Sequence, residues 1–168
     1  MSKNEISPPQ KKCPELLAPA GSMDAFRAAV AAGADAVYLS GKRFGARKFA
    51  QNFSDEEIAG AIAYAHARGL RVSVTVHTPA PDRQPAGVAE PLVPLYAIAA
   101  HALPTPDPGV AAVAGEIVPG LVLHASTQLT IHNADGVRWA HRQGFSRVVL
   151  ARELPLPEIE EIARATGD

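Results

Sequence analysis

Short apolar runs alternate with helical stretches along almost the whole chain, and the helical stretches repeatedly close on glycine. The runs begin near residues 15, 36, 71, 103, 121 and 147. Leu121-Val122-Leu123 and, after the opening Arg147, Val148-Val149-Leu150 are apolar at successive positions rather than at every second one. That is the pattern of parallel strands covered on both faces. Alternating β and α elements dictate a parallel sheet with right-handed crossovers. Six βα units are expected, with no sequence repeat strong enough to align.

Local signals fix most of the units. Glu15–Ala18 reads as a short strand, stopped by Pro19-Ala20-Gly21. Ser22 is placed to cap a helix over Met23–Ala32, and Gly33 to end it in the left-handed conformation. Ala36–Leu39 follows as a second strand. Ser54 with Glu57 three residues on forms a capping box for a helix that runs to His66 and closes at Gly69. Val72–Val76 is the clearest strand by β-propensity. Further on, helices are expected over Val110–Ile117, from about Asn133 to Arg142, and over Glu158–Ala165.

Two segments depart from this regularity. Residues 1–13 are polar, broken by Pro8 and Pro9, and read as a disordered leader, so the barrel domain is taken as 14–168. Residues 79–108 hold eight of the fifteen prolines and read as irregular. Pro94 interrupts the helix expected there, and Pro104 and Pro106 remove ladder donors from the strand expected near Ala102–Thr105.

A parallel βα chain closes either as an open doubly wound sheet or as a barrel. No G-x-G-x-x-G precedes a helix, which argues against a dinucleotide site. The small repetitive units favour the barrel. A full (β/α)8 barrel takes about 250 residues. The expected fold is therefore an α/β, incomplete TIM-type (β/α) barrel of about six units with parallel strands, the N-terminal part of something longer. The C-terminal portion of the barrel becomes a partner that the chain needs.

Charge and composition narrow the function. A net charge of −1 provides no overall field for nucleic acid. The single cysteine, Cys13, excludes an internal disulfide and any multi-thiolate cluster built by this chain alone. The N-terminus has no apolar core for a signal peptide, and no apolar run is long enough to span a membrane. A cytoplasmic protein with no membrane partner is expected.

In either closure, function gathers where strands end. The strand ends deliver Gly21, Arg47, His77, Asp107, the group His124, Ser126 and Gln128, and finally Arg152 and Glu153. His124 follows an apolar strand and precedes Ser and Gln, which favours a site over a core histidine. Arg152 with Glu153 reads equally as a catalytic pair or a structural ion pair. His124 and Ser126 are not a triad, for nothing identifies an orienting acid. His77, Asp107 and His124 suit zinc or iron by type but carry no metal motif, so no metal site is assigned. His66, His132 and His141 are expected on helices, exposed.

Seven segments together carry a family likeness: PELLAPAG (14–21), AGADAVYLSG (32–41), the Arg47 loop with Asn52-Phe53, AHARG (65–69), DPG (107–109), LHASTQ (123–128) and RVVLAREL (147–154). In this order they resemble the collagenase-like peptidase family of unassigned catalytic type, peptidase family 32 of that type. The resemblance implies functional positions at Glu15, Gly21, Asp35, Arg47, His124, Gln128, Arg152 and Glu153. The chain departs from the family at His77, where Asn is usual, and across 79–106, where the family has an acidic helix and an apolar strand.

Three functions follow from the resemblance. The first is a peptidase-type hydrolase acting on a peptide, with His124 and Glu153 activating water beside Arg152. The second is the N-terminal part of an enzyme hydroxylating an RNA base or a quinone precursor. There Arg47, Gln128 and Arg152 would bind an anionic or planar substrate; Ser126, Asp107 and Gly21 are further substrate-binding candidates. The third is a non-catalytic remnant. No cofactor is assigned; some relatives hold an iron–sulfur cluster through cysteines placed after the region equivalent to residue 168.

Overall fold

The computed structural model of the chain describes residues 14–42, 52–76, 92–94, 96–97 and 100–167. The expected leader, Arg47, His77 and most of the proline-rich segment lie outside these residues.

Among the described residues, six strands alternate with helices as the apolar runs require. The strands are β1 (Leu17–Pro19), β2 (Ala36–Ser40), β3 (Arg71–Thr75), β4 (Leu103–Thr105), β5 (Leu123–Ala125) and β6 (Phe145–Val148). All the pairings are parallel and follow chain order, β1-β2-β3 and β4-β5-β6. A seam between β3 and β4 joins the two sheets. It consists of the Ser73–Ala102 bridge and the bonds Val74 N–H to Ala102 C=O (3.0 Å) and Val76 N–H to Pro104 C=O (3.1 Å).

Prolines do not prevent β4 from forming. Pro104 gives up a donor, but its carbonyl still accepts from Val76, and Leu103 N–H donates to Val122 C=O at 2.8 Å. Residues 92–94 are helical, Pro94 among them, and so are 96–97. Two strand boundaries move from their expected places. β5 starts at Leu123 rather than Leu121, and β6 at Phe145 rather than Arg147. Ladder pairing decides these ends, and apolarity alone does not report it.

The helices start and stop where the sequence signals stand. α1 (Met23–Ala31) is capped by Ser22, and α2 (Asp55–His66) by the complete Ser54–Glu57 capping box. α3 (Pro108–Ile117), α4 (Ala134–Arg142) and α5 (Leu156–Thr166) follow. Gly33 at φ +85° and Gly144 at φ +88° take the left-handed conformation that lets the chain turn straight into the next strand.

The ladder register sorts strand residues onto two faces. Val37, Leu39, Val72, Val74, Leu103, Thr105, Leu123 and Ala125 share the face under the helices and are buried. The other face carries Tyr38, Arg71, Ser73, Pro104, His124 and Arg147, and Tyr38 there is 38% exposed. Glu15, just before β1, hydrogen-bonds Arg147 on β6. First and last strands meet that way only if the sheet curls with its helix-free face inside. The chain is thus an incomplete (β/α) barrel whose inner face forms a partly open lumen.

Candidate functional site

The lumen owes its chemistry to a bulge. β5 and β6 pair Leu123 with Phe145 and then His124 with Arg147, so Ser146 is the extra residue. Its hydroxyl donates to the Leu123 carbonyl at 3.1 Å. Phe145 therefore stays in the core while Arg147, two residues on, stands beside His124 on the inner face.

Glu15 gathers the cations. Arg147 Nη1 donates to Glu15 Oε1 and Arg147 Nη2 to Oε2, both at 3.2 Å, a two-pronged clamp. Arg71, the first residue of β3, donates from Nη2 to the same Oε2. The Glu15 side chain keeps only 19% of its exposure, against 52% for Arg71 and 40% for Arg147. The Arg147 hydrogen bond holds the Glu15 carboxyl below its ordinary range, overcoming the opposing effect of burial.

His124 is half-buried next to this cluster. Burial, followed by the Arg147 guanidinium, pushes its imidazole down from the ordinary 6.5 to about 4, against the pull of Glu15. It is therefore neutral at physiological pH. It offers one N–H donor and one nitrogen lone pair, which suits it to accept a proton or to hydrogen-bond a polar substrate edge.

The structure distributes the other expected residues differently. Asp107 is the N-cap of α3; its Oδ1 accepts from Gly109 N–H at 2.7 Å and from Val110 N–H at 3.3 Å. Ser126 is buried and caps the 3-10 turn Thr127–Leu129, accepting from Gln128 N–H. Gln128 is exposed on that turn, and Arg152 and Glu153 are exposed in the turn after β6. No hydrogen bond or ion pair joins His124 to Glu153 among the described residues. His124 lies within β5 rather than past its end, because the strand runs two residues further than its apolar run.

Gly21 lines a separate shallow pocket of ≈ 300 Å³ with Lys42, Asn52, Phe53 and Glu57. This pocket sits beyond the C-terminal end of β1, whereas Glu15 precedes that strand. The concavity and the charged cluster are thus different places. The cluster is the more specific chemical arrangement, since it combines a clamp, a second cation and a neutral imidazole.

Sequence reasoning had Glu15 only through the resemblance and read Arg147 as a strand residue. A charged residue opening an otherwise apolar run was the available signal. A second unforeseen contact lies on the seam. His101 Nδ1 accepts from Val72 N–H at 3.2 Å and stands 3.3 Å from His66 Nε2, with the rings edge to face. His66 and His141 are exposed on helices as expected, whereas His132 precedes α4 and bonds the Thr130 carbonyl.

Among the described residues, no group of three or more His, Cys, Asp or Glu could hold a metal ion. An iron–sulfur cluster needs several thiolates, and the only cysteine, Cys13, lies outside the described residues. The residues of this chain do not fit such a group. No helix among the described residues is long and apolar enough to cross a membrane.

Comparison with known proteins identifies the family and the fold. The chain is 36% identical to tRNA hydroxylation protein P1 of Bacillus subtilis over 90% of its own length and 36% of that protein. It is 38% identical to the 23S rRNA 5-hydroxycytidine synthase of Escherichia coli, over 90% of its own length and 23% of that enzyme. An uncharacterized protease of Methanocaldococcus jannaschii is 34% identical over 88% of this chain and 36% of that protein. The chain thus spans about a quarter to a third of the length of these curated relatives. Among solved structures, the U32 peptidase Mk0906 superposes with a TM-score of 0.73 at 16% identity, covering 98% of this chain and 70% of that one. HMG-CoA lyase of Brucella melitensis superposes at 0.61 and 20% identity, over 90% of this chain and 66% of that one, and shares the barrel-like fold. The model of Peptidase family U32 matches residues 21–168, and the chain belongs to that family.

Proposed function

We propose that this chain is the N-terminal barrel part of an enzyme that hydroxylates a base of transfer or ribosomal RNA. The observation that carries the reading is the run of relatives named for tRNA or rRNA hydroxylation, 34–38% identical over about nine-tenths of the chain. The relative named as a protease is uncharacterized. The family name therefore weighs less than the activities for which its nearer members are named.

The lumen is compatible with a nucleobase. A base presents a planar polar edge, and the neutral His124 imidazole can donate to or accept from such an edge. Tyr38 shares the inner face and offers an aromatic ring against which a base can stack. In this reading the chain binds and orients the base, and His124 accepts or returns a proton at a ring nitrogen. In this reading Arg152 and Gln128, both exposed, contact the RNA backbone. With a net charge of −1, RNA affinity must come from such local cations.

The peptidase alternative has less support: among the described residues no hydrogen bond or ion pair joins His124 to Glu153, and Glu153 is exposed in the turn after β6.

Nucleoside mass spectrometry tests the proposal. The complete gene product is expressed in Escherichia coli strains lacking either the tRNA hydroxylation protein P or the 23S rRNA synthase. Hydroxylated nucleosides should return to one RNA pool and fail to return with His124→Ala. Absence of hydroxylation in both pools, together with peptide cleavage by the purified protein, would favour the peptidase reading.

A further inference from the structure

Two guanidinium groups converge on one carboxylate in the lumen. Arg71 and Arg147 both donate from Nη2 to Glu15 Oε2, so like charges are held close together. Counted over the cluster, two cations, one anion and a neutral His124 leave one uncompensated positive charge. The cluster is partly shielded from water, so repulsion between the arginines is stronger than on an open surface. Among the described residues no second carboxylate forms an ion pair with either arginine.

Donor arithmetic points the same way. Each guanidinium has five N–H groups. Glu15 takes two donor contacts from Arg147 and one from Arg71. Both arginine side chains also remain about half exposed on the inner face. The His124 ring adds a further possible donor beside them.

We propose that Arg71 and Arg147, held together by Glu15, form the floor of an anion-binding site in the barrel lumen. It takes a carboxylate or phosphate group against the guanidinium edges that Glu15 leaves free. Glu15 is a positioning residue here: it spaces the arginines and does not touch the ligand. The site lies at the start of β1 and β3, away from the Gly21 pocket at the opposite strand end. The proposal does not rest on RNA hydroxylation, and either can fail alone.

The test is a titration of the purified full chain with sodium phosphate at constant ionic strength, balanced with sodium chloride. The His124 ring resonances, assigned by their loss in His124→Gln, and the melting temperature are followed together. A saturable shift and a melting-temperature rise beyond that of sodium chloride are expected. Arg147→Gln should weaken binding about tenfold or more, the worth of one charge-assisted hydrogen bond. Arg27→Gln, on α1 and outside the lumen, should bind like the wild type. If circular dichroism shows that Arg147→Gln has not folded, Arg147→Lys replaces it; that variant keeps the charge, loses the fork and should bind more weakly. Arms with acetate and with a nucleoside 5′-monophosphate separate a carboxylate ligand from a phosphate ligand. A linear shift identical to that of sodium chloride overturns the proposal. So does unchanged binding in the folded Arg147 variant.

Discussion

Replacing Glu15 by glutamine is the most revealing perturbation of the lumen. The amide keeps the shape and one acceptor but removes the charge that holds Arg71 and Arg147 together. Breaking a fully buried ion pair costs about 3–5 kcal/mol, whereas an exposed pair is worth about 0–1 kcal/mol. Glu15 is 19% exposed and its partners 52% and 40%, so the network lies between these limits. A loss of about 2 kcal/mol is expected for Glu15→Gln, mostly from the two arginines repelling across a neutral amide. For a chain of this size that lowers the melting temperature by about 4–8 °C. Thermal unfolding by circular dichroism should show this deficit at low salt. The deficit should shrink in high salt, where the repulsion is screened. Adding Arg71→Gln should return part of the loss, since the second substitution removes the repelling partner. A deficit below about 1 °C, or one indifferent to salt, would refute the argument that Glu15 balances two cations.

Three further outcomes follow from the same structure. Stability should fall as pH drops from 6.5 towards 4. The folded state keeps His124 neutral while the unfolded chain charges it, so the stabilisation is present above 6.5 and lost as pH falls through the folded value. Full conversion of that shift gives about 3 kcal/mol, which solvent screening of the half-exposed ring reduces to roughly 1–2 kcal/mol, readable as urea midpoints across pH. Glu15, also depressed, adds to the loss below its ordinary 4.5. His101→Ala should leave the Val72 N–H at the seam without its partner, costing about 1 kcal/mol and speeding amide exchange at Val72. Ser54→Ala should cost about 1 kcal/mol by opening the capping box of α2, measured by denaturant unfolding.

The sequence shows the architecture more clearly than the site, for a physical reason. Strands and helices are local: Val72–Thr75 announces itself by β-branching, and Ser54–Glu57 by cap spacing. The site depends on distant pairing. Glu15 and Arg147 stand 132 residues apart, and nothing local says that one clamps the other. The bulge at Ser146 decides which of three successive residues faces the lumen, and it exists only once β5 and β6 have paired. His124 was legible as a functional candidate, but it lies inside β5 on the inner face rather than at the rim. Asp107 and Ser126 have the right residue types for substrate contact, yet both are engaged in capping backbone N–H groups. Polar residues after a strand serve helix starts as readily as ligands, and sequence spacing does not separate the two uses.

The lumen holds His124 neutral beside the Arg147–Glu15–Arg71 cluster, and NMR titration of the His124 ring tests this most directly. A midpoint near 4 is predicted for the wild-type protein. A midpoint at or above the ordinary 6.5 would mean that His124 is neither desolvated nor facing Arg147, and would contradict the site described above.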